Sequence, residues 1–181
     1  MSLWKKIKEL LGINGGMIMP KKPDVVDINV VVTRNPADLC DVKFHLEAKN
    51  EPKVKVGKNA KGKDVIDFTN DKNPGFLVCF NIVEQGPTKG CQFLPDPDDA
   101  LWVQPSAFQN APCPNSPAYW SQFRAVDVVS TGPNDINKTL VVYNRNDYPQ
   151  TFGFTLRFEV EGCDKVFEFD PIGNDHNGQQ Y

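Results

Sequence analysis

Apolar and polar residues alternate along the stretch from 139 to 160. In its second half the apolar positions share one face: Phe152, Phe154, Leu156, Phe158 and Val160. Successive side chains of a pleated strand point to opposite faces, so this period of two predicts a strand buried on one side, with Thr155 and Arg157 on its polar face. Residues 139–144 form a β-branched and aromatic run, and residues 144–150 supply turn residues. We therefore predict a β-hairpin that contributes much of one sheet.

Apolar and β-branched runs, one of them cleanly alternating, predict further strands along the chain. They cover Asp24–Thr33, Leu39–Ala48, Asp64–Thr69, Gly75–Glu84, Cys91–Leu94, Phe123–Ser130 and Val166–Asp170. Residues 75–84 are apolar on both faces, which is typical of a central strand covered on each side. Eight or nine short strands separated by turn residues predict an all-β fold. We expect a β-sandwich of immunoglobulin-like or jelly-roll topology, preceded by one short helix.

The helix is predicted over residues 2–12, with apolar side chains at helical spacing and lysines on the opposite face. Its apolar positions, which we predict to attach the protein to a partner, are Leu3, Trp4, Ile7, Leu10 and Leu11. An isolated helix this short is marginal in water, so docking on protein is favoured over weak contact with a membrane surface. The protein surface is either the open end of its own sandwich or a partner subunit. The predicted organisation is a helix and linker at 1–23, a sandwich domain at 24–170 and a polar, frayed tail at 171–181.

The connection from residue 95 to residue 122 is unusually long. It carries six prolines, which are expected to exclude continuous ladders and helices. Long connections in compact domains are usually functional when they are ordered. Aromatic rings held rigidly bury large areas at low entropic cost, so we predict that they contact a partner. These residues are Trp102, Phe108, Tyr119 and Trp120. The alternative is that the rings pack as a satellite core under one end of the sandwich.

Charge is distributed unevenly along the chain, although the net charge is only −3. Residues 1–63 carry 13 Lys and Arg against 7 acids, whereas residues 64–181 carry 7 against 16. A split of this kind favours head-to-tail association or contact with an anionic partner. In a sandwich, however, early and late strands interleave, and the two fields then cancel. Cancellation of the two fields is therefore the favoured alternative for this fold class.

Five cysteines are an odd number for a disulfide framework. Cys40 and Cys79 lie in apolar patterns and are predicted to be buried thiols. Cys91, Cys113 and Cys163 lie in predicted loops, where Cys91 and Cys113 could pair. No hydrophobic signal-peptide core precedes the domain, so we expect a reducing, cytoplasmic location.

The composition offers little for catalysis. A hydrolase would need Cys113 as its nucleophile and His45 or His176 as its base, and neither histidine lies in a recognisable constellation. His45 beside Glu47 on the polar face of a strand is typical of a solvated surface. We therefore predict that the chain is not an enzyme and that it needs no cofactor.

Two further patterns are interpreted as ordinary surface. Residues 57–63 match the phosphate-binding spacing G-x-x-x-x-G-K, but Asp64 replaces the required hydroxyl and a strand follows. This predicts a hairpin turn, and its lysines lack the interleaved aromatic residues of a nucleic-acid site. The acidic run at 96–99 matches no calcium-loop spacing, so no metal site is predicted.

These patterns together predict a non-catalytic binding or assembly module. Its partner is expected to be a protein or a second copy, recognised by the aromatic loop and joined through the N-terminal helix. A carbohydrate-binding sandwich and a hydrolase with a loop cysteine are the alternatives.

Overall fold

The computed structural model describes residues 23–48, 53–68, 75–86, 89–106, 123–130, 135–146 and 149–175. Within them the chain forms twelve strands and one short helix. The strands are β1 (Asp24–Asn35), β2 (Asp38–Ala48), β3 (Val54–Lys58), β4 (Asp64–Phe68), β5 (Phe76–Gln85), β6 (Cys91–Phe93), β7 (Leu101–Ser106), β8 (Phe123–Val129), β9 (Thr139–Asn144), β10 (Gln150–Val160), β11 (Phe167–Phe169) and β12 (Ile172–Asp175). The helix is α1 (Pro97–Ala100).

The strands form two mixed sheets that pack against each other, so the all-β prediction is confirmed. The first sheet has the order β2-β1-β5-β9-β8, with the apolar strand β5 at its centre as predicted. The second has the order β11-β10-β12-β4-β3, and β6 and β7 pair with β10 as well. Both sheets are mixed because β1 runs parallel to β5, and β12 runs parallel to β4.

Phenylalanine rings from both sheets fill the space between them. The fully buried rings are Phe68, Phe76, Phe80, Phe93, Phe123, Phe152, Phe154 and Phe158. Phe154 of the second sheet contacts two rings of the first, with centroids 5.8 Å from Phe80 and 5.2 Å from Phe123. Tilted contacts between aromatic rings add to the energy gained by burying their area. These rings make the interface between the sheets the main core.

The predicted hairpin at 139–160 is wrong. β9 pairs with β5 and β8 in the first sheet, whereas β10 lies in the second sheet. Both edges of β9 are already paired, so β10 cannot join it. The turn between them instead carries the chain from one sheet to the other. The Asn144 side chain donates a buried hydrogen bond of 2.6 Å to the Asp175 carboxylate, which links the two sheets at this turn.

The polar face predicted for β10 is partly buried. Phe154, Leu156 and Phe158 are buried as predicted, but Thr155 is also fully buried and its hydroxyl donates to the Asp170 carboxylate at 2.6 Å. In the register of the sheet, Trp102 of β7 lies opposite Thr155. Neighbours on both sides of β10 therefore cover a position that the sequence pattern assigned to the polar face, in contact with solvent or with a polar layer.

Two segments predicted to be irregular contain regular structure. The first part of the proline-rich connection forms α1 and β7, and the first part of the predicted tail forms β12. Pro97 lies in the first turn of α1, where a missing N–H costs nothing. Within the described residues β7 pairs only with β10, and an edge strand tolerates Pro105.

The cysteine predictions need correction. Cys40 is not a free buried thiol, because it forms a disulfide with Cys163 across 123 residues of sequence. Cys91 is a free, buried cysteine within β6, so it neither lies in a loop nor pairs with Cys113. Cys79 is free and half-buried.

The predicted turn at 57–63 is confirmed, since it joins the antiparallel strands β3 and β4. The Asn59 side chain accepts hydrogen bonds from the main-chain N–H groups of Lys61 and Lys63 and shapes the turn. Other predicted features lie outside the described residues: the helix at 2–12 and the residues Phe108, Cys113, Tyr119, Trp120 and His176.

Candidate functional site

A cleft of about 940 Å³ opens at one end of the two sheets, where β5 and β10 end and β6 and β9 begin. We call it the terminal cleft. Its lining residues are 84, 89–92, 135–136, 138 and 159–166. They come from both sheets and from turns far apart in sequence. A volume of this size is at the upper end of the range for binding pockets.

An ion pair between Glu84 and Lys138 forms the floor of the terminal cleft. The Lys138 ammonium lies 2.6 Å from the Glu84 carboxylate, and their side chains are 17% and 7% exposed. The second carboxylate oxygen of Glu84 accepts a 2.8 Å hydrogen bond from the main-chain N–H of Cys91, while Lys138 also donates to the Cys91 carbonyl. Buried charges are tolerated when they are paired and hydrogen-bonded in this way. The pair joins β5, β6 and the residue that precedes β9, and so connects the two sheets.

One wall of the terminal cleft is held by a buried arginine and by the disulfide. Arg34 is 5% exposed and donates to three main-chain carbonyls, those of Leu39, Lys89 and Glu161. It thereby joins the end of β1 to the two turns that border the cleft. The Cys40–Cys163 disulfide fixes the second of these turns to β2.

Close packing of the same two turns requires a glycine at position 90. Gly90 has φ +110°, which L side chains rarely adopt, and a Cβ there would lie 2.5 Å from the Cβ of Glu161. The Gly90 carbonyl also accepts a 2.9 Å hydrogen bond from the Glu161 N–H. The cleft wall is therefore preformed by main-chain contacts.

The Cys91 thiol beside this floor is unsuited to nucleophilic chemistry. Burial, reinforced by the nearby Glu84 carboxylate, raises its pKa to about 12. Burial and the charge of Asp27 likewise raise the pKa of Cys79 to about 11. Since the thiolate is the reactive form, both thiols are protonated and inert at neutral pH.

The rim of the terminal cleft combines acidic and apolar side chains. Four exposed carboxylates border it: Asp135, Glu159, Glu161 and Asp164. Lys89 and Lys165 are the exposed cations among the lining residues, and Glu84 and Lys138 neutralise each other. The lining therefore carries a net negative charge. Ile136 and Val166 line the same opening and are 51% and 40% exposed, respectively.

Trp102, the one described member of the predicted aromatic loop, lies on β7 and not among the residues that line this cleft. The Arg157 guanidinium stacks over its ring at 3.8 Å and also donates to the Asp99 carbonyl and the Glu168 carboxylate. The indole N–H of Trp102 is buried and has no acceptor among the described residues. Trp102 is thus a half-buried ring whose one face is covered by arginine.

His45 lies on β2, where its ring is 3.1 Å from the Glu47 carboxylate. Both side chains are well exposed, at 39% and 52%. Within the described ranges, no group of three His, Cys, Asp or Glu side chains is arranged to hold a metal ion. In the same part of the chain, no helix has the length and apolar character needed to cross a membrane.

The residues of the terminal cleft were not identified from the sequence. Two signals could have pointed to them. Glu84 ends an otherwise apolar strand run, and such a charge needs a partner when it is buried. The acids Glu159, Glu161 and Asp164 cluster around one turn and account for part of the negative charge of the second half of the chain.

Comparison with known proteins adds little to this geometry. The sequence matches no family model and no curated protein. Among solved structures, the chain has a distant similarity to the inclusion body protein PixA from Burkholderia cenocepacia J2315. The TM-score is 0.40 and the sequence identity 11%, over 87% of this chain and 99% of that one. A likeness this distant carries no argument about function.

Proposed function

We propose that this chain is a non-catalytic binding and assembly module whose terminal cleft binds a basic, amphipathic segment of a protein partner. The rim carries the proposal, because exposed carboxylates lie beside exposed apolar side chains at a preformed opening. Apolar anchors surrounded by complementary charges are typical of protein recognition sites. The acids at 159–164 would meet the lysines of the partner, and Ile136 and Val166 would meet its apolar face.

The chemistry of the floor supports binding rather than catalysis. Both oxygens of the Glu84 carboxylate already accept hydrogen bonds, from Lys138 and from the Cys91 N–H. The Cys91 thiol is protonated at neutral pH, and His45 lies on an exposed strand face beside Glu47. A general base or nucleophile would need a free acceptor or a low pKa.

Three further predictions made from the sequence are retained as proposals. They are recognition through the aromatic residues between 102 and 120, attachment through the helix at 2–12, and a cytoplasmic location. The Trp102 ring gives carbohydrate binding little support, because Arg157 already covers one of its faces. The parallel strand pairs depart from the antiparallel sheets of an immunoglobulin fold, so a two-sheet sandwich of unspecified type is the better description.

Binding of a labelled peptide tests the function of the terminal cleft. The probe is a 12-residue leucine–lysine amphipathic peptide unrelated to this chain, followed by fluorescence anisotropy. We expect the protein to bind it at low salt and the double variant Glu161→Gln/Asp164→Asn to bind about tenfold more weakly. Replacing the peptide lysines with glutamates should abolish binding.

The matched control removes two acids outside the cleft, Asp98 and Asp99 of α1, in the variant Asp98→Asn/Asp99→Asn. Both residues are exposed, and neither lines the cleft. If this control weakens binding as much as the cleft variant does, attraction to the overall negative field explains the affinity. That result would contradict the proposed site.

A further inference from the structure

We infer that the segment received by the terminal cleft is residues 2–12 of a second copy of this chain, so that copies associate head to tail. This inference rests on the proposed function of the cleft and names its partner. Three observations carry it: the chemistry of the segment, the position of the cleft relative to the start of β1, and the length of the intervening linker.

The segment at 2–12 has the composition that the rim of the cleft complements. It carries three lysines and one acid, and the sequence pattern predicts a helix with its apolar side chains on one face. The rim of the cleft presents four exposed carboxylates and the exposed side chains of Ile136 and Val166. The lysines of the segment are therefore complementary to the carboxylates of the rim, and its apolar face is complementary to Ile136 and Val166.

The topology places these two surfaces at opposite ends of the molecule. β1 and β5 run parallel, with Asp24 opposite Phe76 and Val32 opposite Glu84. Glu84 lies on the floor of the cleft, whereas Asp24 begins the first strand. Along the strand direction, eight residues separate Asp24 from the height of Glu84, a distance of about 26 Å. The N-terminal segment thus joins the fold at the end far from the cleft.

The linker length favours a second copy over the same chain. Residues 13–23 connect the predicted helix to β1. A random coil of eleven residues has a root-mean-square span of about 17–20 Å, which is shorter than the strand length of about 26 Å that separates Asp24 from the level of Glu84. Spanning about 26 Å within one chain takes about two thirds of the stretched length of about 36–40 Å, and so costs conformational entropy. At high protein concentration a neighbouring copy avoids that loss.

A donor segment at one end and a receptor at the other end form a heterologous contact. Such contacts build open chains of copies unless the rotation between neighbours closes a ring. One short helix in one cleft makes a small interface, so each contact is weak. The association should therefore increase with protein concentration and decrease with added salt, which screens the lysine–carboxylate attraction.

Charge reversal on the full-length chain tests the inference by sedimentation velocity. The helix variant is Lys5→Glu/Lys6→Glu/Lys8→Glu, and the cleft variant is Glu161→Lys/Asp164→Lys. We expect the mean mass of the wild type to rise with concentration and each variant alone to remain monomeric, with its association constant lowered about tenfold or more. An equimolar mixture of the two variants should associate again, because each helix then meets a cleft of opposite charge.

The control variant Asp98→Lys/Asp99→Lys changes charge by the same amount as the cleft variant and should associate like the wild type. Circular dichroism establishes that each variant is folded, and Glu161→Gln/Asp164→Asn replaces the cleft variant if charge reversal prevents folding. A wild type that stays monomeric at every concentration overturns the inference, as does a mixture that fails to associate. If the unrelated basic peptide still binds the cleft in that case, the proposed function stands and only the identity of the partner is wrong.

Discussion

The Arg34 guanidinium is buried, yet its three hydrogen bonds go to the main-chain carbonyls of Leu39, Lys89 and Glu161. The fixed fork of an arginine can meet several acceptors at once, whereas a lysine ammonium is a single point with rotating donors. The residue therefore acts as a junction between β2 and the two turns that border the terminal cleft.

Replacing this residue, Arg34→Lys, should lower the free energy of unfolding by about 1–3 kcal/mol. The reason is that a lysine cannot reach all three carbonyls and leaves at least one buried acceptor unsatisfied. Urea denaturation measures the change. The control is Arg124→Lys on β8, where the side chain is exposed and the change should be within about 0.5 kcal/mol. Equal stabilities of the two variants would contradict the junction role.

The two free thiols predict a loss of stability at alkaline pH. Burial raises the pKa of Cys91 to about 12 and that of Cys79 to about 11, above an unfolded value near 8.5. Each thiol remains protonated in the folded state while the unfolded chain ionises. Their contribution to stability is therefore complete below about pH 8.5 and is lost as the pH rises through the folded pKa. The loss is about 1.4 kcal/mol per pH unit for Cys91, and the half-buried Cys79 adds less because solvent screens its surroundings.

Denaturation curves from pH 8 to pH 11 measure this loss, with Cys91→Ala as the comparison. Cys91→Ala should show a shallower pH dependence than the wild type, although it is less stable at neutral pH because it leaves a small cavity. Parallel pH profiles for the two proteins would mean that the folded Cys91 thiol ionises as easily as an unfolded one.

Among the elements, β10 connects the most neighbours. It pairs with β6, β7, β11 and β12, and its phenylalanines contact rings of the opposite sheet. Both of its faces are buried near the middle, because Phe154 faces the core and Thr155 bonds to Asp170 on the other side. A strand in this position contributes to the stability of the whole fold.

Substitutions along β10 should reveal this two-sided burial. Phe154→Ala should cost about 3–5 kcal/mol of unfolding free energy through a cavity between the sheets. Thr155→Val keeps the shape but removes the hydroxyl that bonds to Asp170, and should cost about 1–2 kcal/mol. Glu159→Ala, at an exposed position of the same strand, should stay within about 0.5 kcal/mol. Thermal or urea unfolding measures all three variants. An unchanged free energy of unfolding in Thr155→Val would show that only the face with Phe154 contributes to stability.

At the level of the whole molecule, the two sheets are joined at both ends by specific links as well as by the core. The Cys40–Cys163 disulfide and the Glu84–Lys138 pair lie at the end with the cleft. The hydrogen bond from Asn144 to Asp175 lies at the turn between β9 and β10. These links hold the walls of the cleft at a fixed distance from each other, because they restrain the separation of the two sheets.

Loss of the disulfide should destabilise the molecule strongly. The bond closes a loop of 123 residues, and constraining so long a loop in the unfolded chain stabilises the fold by about 4–5 kcal/mol. Cys40→Ser should lower the unfolding free energy by that order, and dithiothreitol should do the same to the wild type. Reductant should have no further effect on Cys40→Ser. A wild type equally stable with and without reductant would show that the disulfide makes no contribution.

Much of the strand content was predictable from local pattern. The valine- and isoleucine-rich run of 24–33, the apolar alternation of 39–48 and 152–160 and the apolar run of 75–84 all correspond to strands, since side-chain period and backbone sterics act within a few residues. The apparent hairpin at 139–160 failed for a different reason. Adjacent strands separated by a turn fit either one sheet or two, and only the competition of β5 and β8 for the edges of β9 decides between them.

For the terminal cleft, too, some properties follow from the local sequence and others only from the packing of the sheets. The chain itself determines which residues carry charge, where its strands run and that residues 64–181 are acidic. It does not determine that Glu84, Lys138 and the acids around Glu161 meet at one opening, because they lie on different strands and turns and come together only when the sheets pack. The pairing of Cys40 with Cys163 is equally non-local. Periodicity is a property of neighbours in sequence, whereas a site depends on which distant segments share the free energy of burial.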